Sequence, residues 1–190
     1  MSHAIHSTQG LLIDDRPYGE AGRILYVLTP EHGILTFLAQ GVREQKSKLR
    51  GLLSLGTLAT FEFVEGREVK RLTTILPIRR FVKIFEKVES RNVFSRVVNF
   101  LERVVLGEQE NHELYQRFLD GLDVLENYVP SVNANFQNIE IAIIINILHA
   151  LGYWRGDEYV GYGNDVFVLI ASNRDNLVKE INRAIESTHL

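Results

Sequence analysis

Near Pro77 the spacing of apolar residues changes period, and that change constrains the fold more than any other feature of the chain. Before it, apolar residues come in short runs bounded by turn formers; after it they recur every three or four positions. A two-residue period buries one side of a strand and a 3.6-residue period buries one side of a helix, so neither half can fold as the other does. The sequence therefore predicts an α+β chain of two domains, residues 1–80 and 81–190, with the boundary at residues 77–82.

In the first half the predicted strands are 10–14, 22–28, 34–39, 58–64 and 68–76, the last closed by Pro77. Thr29-Pro30-Glu31-His32-Gly33 reads as a turn, with proline presetting φ and glycine free to take positive φ. Glu65-Gly66-Arg67 reads as a hairpin turn. Five short strands joined by turns and one longer loop predict a small closed β-barrel of the OB type. In the second half, Val93, Phe94, Val97, Val98, Leu101, Val104 and Val105 mark a helix over 90–106 that Gly107 ends. A second helix covers 111–127. A third, over 136–151, is apolar almost all round and belongs in the middle of a bundle. Residues 165–171 read as a short strand, with a buried helical turn as the alternative. Ser172 with Asp175 then reads as the start of a last helix lined by Leu177, Val178, Ile181 and Ile185.

The charge is divided between the halves. The 190 residues carry a net charge of −3. Residues 1–80 hold 11 Lys and Arg against 8 Asp and Glu, and residues 81–190 hold 10 against 16. Such an asymmetry suggests modules with different partners, the first suited to a polyanion. Its basic residues concentrate in Gly41-Val-Arg-Glu-Gln-Lys-Ser-Lys-Leu-Arg-Gly51, strung between two strands, where Arg43, Lys46, Lys48 and Arg50 face one acid, Glu44.

Several classes of function are excluded or disfavoured. With no cysteine, disulfides, thiol catalysis and thiolate metal sites are impossible. There is no Gly-x-x-x-x-Gly-Lys-Ser/Thr, Gly-x-Ser-x-Gly or His-Glu-x-x-His. Gly161-Tyr162-Gly163 lacks the third glycine of a dinucleotide loop and reads as a plain turn. His3 and His6 sit in a polar, frayed terminus, and His149 reads as a satisfied residue of a buried helix. Asp14 and Asp15 are strand neighbours that face opposite ways. The expectation is a non-enzyme with no cofactor and no metal. No apolar run approaches a membrane span, and residues 1–9 hold no signal-peptide core, which fits a cytoplasmic protein.

The same residues carry a family resemblance. Gly10-Leu-Leu-Ile-Asp-Asp-Arg-Pro-Tyr-Gly-Glu20, Leu28-Thr-Pro-Glu-His-Gly33, Gly41-Val-Arg43 and Lys46-Ser-Lys-Leu-Arg-Gly51 occur in that order. The set resembles the N-terminal domain of the RecO family of bacterial DNA repair and recombination mediator proteins. Residues 136–153, ending Leu148-His-Ala-Leu-Gly-Tyr153, are similar to the family's central helix. Four zinc-binding cysteines that many members carry after that segment are absent here, Gln40 stands where members often have lysine, and the chain is shorter, which implies a trimmed C-terminal part. The resemblance implies an OB-fold joined to a helical domain. It also implies binding of single- and double-stranded DNA, strand annealing and RecA loading in the cytoplasm, in association with the nucleoid. The implied partners are RecR and the C-terminal tail of single-strand-binding protein.

For the residues themselves, Lys and Arg hold backbone phosphates through counterion release. Arg43, Lys46, Lys48 and Arg50 lead the expected DNA contacts. Ser47 can donate to a phosphate, and Arg16, Arg23, Lys70 and Arg71 extend the track. Tyr18 is the expected base-stacking platform, whereas Phe61 and Phe63 share a strand face that belongs to the core. Arg96, Arg103 and Arg117 lie on the helices expected to dock the acidic tail and read as surface residues. Two other readings share these features: an OB-type module for RNA, and a protein-binding adaptor whose basic loop grips an acidic partner.

Overall fold

The structure, a computed structural model, describes residues 4–44, 46–47, 49–105, 107–128 and 135–187. The chain divides into two compact units, Met1–Arg80 with Gly107–Glu110, and Phe81–Leu106 with Asn111–Leu190.

The first unit is a five-stranded sheet of β1 (Ile5–Tyr18), β2 (Gly22–Thr29), β3 (Gly33–Ala39), β4 (Thr57–Val64) and β5 (Lys70–Arg80). The hydrogen-bonded order is β1-β2-β3-β5-β4, and the β1–β4 ladder closes the ring. All neighbours are antiparallel except β3 and β5, which meet in parallel only at Phe37–Lys70 and Leu38–Arg71.

Closure depends on β1 being far longer than residues 10–14. Its first half pairs with β4 from Ile5↔Val64 to Leu11↔Leu58, and its second half with β2 from Leu11↔Leu28 to Tyr18↔Gly22. The strand changes partner at Gly10–Leu12. A Cβ on Gly10 would run into the Val27 side chain and come within 2.9 Å of the Leu28 carbonyl oxygen. Glycine at this corner lets the two backbones cross closely. The alternation that marks a strand is missing from residues 5–9 because Ile5, His6 and Ser7 are exposed. His6 is nonetheless ordered in the strand and stacks on Phe63 with ring centres 5.5 Å apart. His3 lies outside the described residues.

β5 likewise runs through Pro77, which the sequence takes as its end. Pro77 pairs with Ala59 beside a register shift and is exposed, so its missing N–H leaves no buried gap in the ladder. Inside, Leu12, Leu25, Val27, Leu35, Phe37, Phe61 and Phe63 form the core. The Phe37 and Phe61 rings lie nearly parallel, 5.9 Å apart, and Phe61 and Phe63 are core residues as the strand pattern indicates.

In the second unit a 3-10 turn (Lys83–Phe85) precedes α1 (Val88–Val104), α2 (His112–Glu126), α3 (Phe136–Ala150) and α4 (Asn164–Ser187). Asn111 and Asn135 begin α2 and α3 as N-caps, accepting from the backbone N–H of Leu114 and Asn138 at 2.8 and 2.9 Å. α3 packs against α1, α2 and α4, the central place its all-round apolar surface requires. Among the described residues no helix is long and apolar enough to cross a membrane.

Residues 165–171 take the helical alternative rather than the strand. Val166, Phe167 and Ile170 are buried while Val168 and Leu169 are exposed, which is helical spacing within a run too short for periodicity to decide from sequence. A last helical segment does begin just after Ser172, across a break in helical geometry at Asn173, but Ser172 is not its cap. Its hydroxyl donates back to the Val168 and Leu169 carbonyls at 3.2 and 2.9 Å, and α4 is two helical segments joined across a kink at Asn173 (φ −120°, ψ 15°).

Candidate nucleic-acid interface

The basic segment between β3 and β4 is not a free loop. Its apolar residues hold it against the barrel: Val42 and Leu53 are part of the core, and Leu49, Leu52 and Leu55 pack on it. Backbone bonds fix the course, with Arg43 N–H donating to Ala21 O (3.0 Å), Leu53 N–H to Leu49 O (3.2 Å) and Gly56 N–H to Leu12 O (2.9 Å). The Arg80 guanidinium donates to Gly51 O at 2.8 Å. Burying the leucines forces the interleaved polar side chains outward. Arg43, Lys46 and Arg50 are exposed and Ser47 is half-buried. Lys48 lies outside the described residues.

Arg16 and Tyr18 lie on β1, which runs past residue 14; the turn is 19–21. In an antiparallel ladder, opposed residues share a face and chain neighbours alternate. Arg16 opposes Ile24 and Pro17 opposes Arg23, so Arg16 and Tyr18 leave one face of the β1–β2 hairpin and Arg23 the other. The Arg16 guanidinium stands 4.6 Å from the centre of the Tyr26 ring and donates from Nε to Asp14 Oδ2 at 3.0 Å. Arg23 Nη1 donates to Asp15 Oδ2 at 2.6 Å. The carboxylate pair thus supplies one anchor per arginine.

Two concave surfaces follow. On the outer face a cleft of about 840 Å³ runs between the end of β1, the end of β3 and the β4–β5 turn, lined by Tyr18, Leu38, Gln40, Glu65, Arg67, Glu68 and Arg71 among others. Tyr18 is 57% exposed there, a large ring presented to solvent rather than folded away. A separate depression of about 390 Å³ is lined by Arg23, Val42, Arg43, Arg50 and Leu53. Lys70 belongs to neither: its Nζ is 2.8 Å from Glu108 Oε1. Of the ten expected contacts, Tyr18 and Arg71 line one surface, Arg23, Arg43 and Arg50 another, and Lys46 and Ser47 lie on the segment between Arg43 and Arg50; Arg16 is paired with Asp14 on the Tyr18 face, Lys70 with Glu108, and Lys48 lies outside the described residues.

Sequence reasoning misses Arg67, Glu65 and Glu68 as cleft residues because Glu65-Gly66-Arg67 reads as a hairpin turn and Glu68 as the start of a strand. The signal was present nonetheless, since in a five-stranded barrel the β4–β5 turn emerges near the β1–β2 turn.

In the helical unit Arg96 and Arg117 are engaged within the fold. Arg96 makes a bidentate pair with Glu140, Nε to Oε1 at 2.6 Å and Nη2 to Oε2 at 2.5 Å. Arg117 binds Glu113 at 2.8 Å and Asn146 Oδ1 at 2.9 Å, while Arg103 is exposed. Asn146, fully buried, also accepts from Gly161 N–H (3.0 Å) and donates to Ala142 O and Gly161 O (2.8 and 3.2 Å). Tyr162 donates to Arg117 O at 2.8 Å, and burial pushes its phenol well above the usual range. Gly161-Tyr162-Gly163 is thus tied to the α2–α3 pair. His149 is only partly buried, with Nε2 3.0 Å from Asp157 Oδ1.

Residues 1–81 match the family described as Recombination protein O N terminal. The DNA repair protein RecO of Desulfitobacterium hafniense is 23% identical over 149 residues, covering 78% of this chain and 52% of the relative. Those of Heliobacterium modesticaldum and Dehalococcoides mccartyi are each 28% identical, over 149 and 120 residues, covering 78% and 63% of this chain and 52% and 47% of the relative. The chain spans about half the length of the curated relatives it matches. On the match of its first 81 residues and on these relatives, the chain is similar to RecO proteins.

Proposed function

We propose that residues 1–80 form an OB-type domain that binds nucleic acid, and that the chain acts in DNA repair as a recombination mediator. The strand order β1-β2-β3-β5-β4 is that of the OB-fold, whose first and fourth connections and second and third strands bind oligonucleotides. The observation that carries the reading is the outer-face cleft between those two connections, with exposed Tyr18 on one side and Arg71 and Arg67 on the other. A solvent-facing ring beside guanidinium groups is the arrangement on which single-stranded bases stack, at roughly 1–3 kcal/mol per base. The anchored basic segment adds phosphate contacts without sequence preference.

Binding single- and double-stranded DNA, annealing strands, and loading RecA together with RecR and the tail of single-strand-binding protein make up the whole activity we assign. The similarity to RecO proteins supports it. Annealing by such a surface requires no nucleotide, because basic side chains that screen repulsion between two backbones leave the base edges free. The residues outside 1–80 form the helical domain in this proposal, corresponding to a C-terminal part without the zinc-binding cysteines.

The test is fluorescence anisotropy with labelled single-stranded DNA across a salt series. Wild type is compared with Tyr18→Ala/Arg71→Ala and with a variant carrying alanine at Arg43, Lys46, Lys48 and Arg50. Salt-sensitive binding that both variants weaken supports the reading. Absence of binding at low salt, or competition by an acidic protein partner but not by DNA, sinks it in favour of an adaptor.

A further inference from the structure

Resting on that reading, we propose that the first unit holds two nucleic-acid strands at once, one on each face of the β1–β2 hairpin. Arg16 and Arg23 start this separation. The ladder sends them to opposite faces, and Asp14 and Asp15 each fix one of them there. Tyr18 shares the Arg16 face and opens into the cleft with Arg71. Arg23 shares the other with Arg43 and Arg50.

The two surfaces differ in chemistry as well as in position. Glu65 and Glu68 stand in the cleft beside Arg67 and Arg71. Two carboxylates repel a phosphate backbone, yet a carboxylate accepts well from the amino group of an unpaired base, and Tyr18 supplies a stacking surface. The cleft therefore suits the bases of one strand. Among the described residues, those lining the depression include three arginines and no acid. Asp15 offsets part of the Arg23 charge, and Arg43 and Arg50 present forked guanidinium groups that match phosphate oxygens. The depression therefore suits the backbone of a second strand, whose bases then point away from the protein and stay free to pair.

Native mass spectrometry of the full chain with a non-self-complementary single strand of about eight nucleotides, within the site size of one such barrel, reads the number bound per chain. Two per chain at saturation is expected for wild type. Tyr18→Ala/Arg71→Ala and Arg43→Ala/Arg50→Ala should each bind one, and Arg43→Lys/Arg50→Lys should recover the second. All these side chains are exposed, so loss of folding is not the expected cause of a change. One strand per chain in wild type, weakened by both alanine pairs, means that a single strand wraps the hairpin; it overturns this inference and leaves the proposed function standing. No strand bound at all overturns both.

Discussion

Arg23 donates to Asp15 across the β1–β2 hairpin at 2.6 Å, on the face opposite to the one where Arg16 donates to Asp14. One pair of adjacent acids thus positions two arginines for two surfaces, and it also tempers their charge. Asp15 is 19% exposed at its side chain, so its pull on Arg23 is stronger than that of a fully solvated pair.

Asp15→Asn should therefore strengthen single-stranded DNA binding. Releasing one guanidinium adds about one phosphate contact, steepening the salt slope by about 0.7 and tightening binding on the order of threefold at low salt. An anisotropy titration at several salt concentrations checks this; an unchanged slope would mean that Arg23 never meets a phosphate.

Alanine at Arg43, Lys46 and Arg50 should flatten the salt slope by about 2, the loss of three single-strand phosphate contacts. Tyr18→Ala should instead cost about 1–3 kcal/mol of binding with the slope nearly unchanged, since stacking releases no counterions. Measuring both variants in one salt series separates the two contributions, and a slope change in Tyr18→Ala would contradict its assignment as a platform.

Gly10→Ala should destabilise the barrel by about 1–3 kcal/mol, because the added methyl meets the Val27 side chain and the Leu28 carbonyl where β1 changes partner. Adding Val27→Ala relieves the side-chain clash but leaves the carbonyl contact and opens a cavity, so thermal unfolding of the double variant should show no net recovery over Gly10→Ala.

Removing Asn146 should be severe. Asn146→Ala leaves Gly161 N–H and one Arg117 N–H without their acceptor in the helical unit, a loss of about 3 kcal/mol. Urea unfolding followed by the helical circular dichroism signal measures it. A loss below about 1 kcal/mol would show that water replaces the amide readily.

Stability should fall at alkaline pH through Tyr162. Burial raises its folded-state pKa above the ordinary phenol value of about 10. The unfolded chain then loses the proton first, and stability present below about pH 10 is lost as pH rises further. Tyr162→Phe removes the titrating group and the bond to Arg117 O. That variant should be less stable at neutral pH but flatter above pH 10 than wild type, as equilibrium unfolding across pH reveals.

The helices on either side of residue 130 and the strands β2, β3 and β4 could be read from the chain because each buries one regular face, and a regular face leaves a period in the sequence. β1 could not be read in full. Its first residues are exposed, and only the β4 ladder holds them. Residues 165–171 were ambiguous for the opposite reason: a six-residue apolar run, 166–171, satisfies a strand or a turn and a half of helix, and packing of Val166, Phe167 and Ile170 decided for helix.

The sequence by itself determined that the chain is β first and α second, that its first half is basic, and that a ring and several cations cluster near the first turn. Those properties depend on residues close together in the chain. Tertiary structure decided how the cations are used. Arg67 and Arg71 join Tyr18 only because β4 and β5 return beside β1 and β3. Lys70 is drawn to Glu108, and Arg16 and Arg23 part company because a pleated ladder turns alternate side chains to opposite faces. Leucines placed between the basic residues pin their segment to the core, and burying those leucines turns the intervening charges toward solvent.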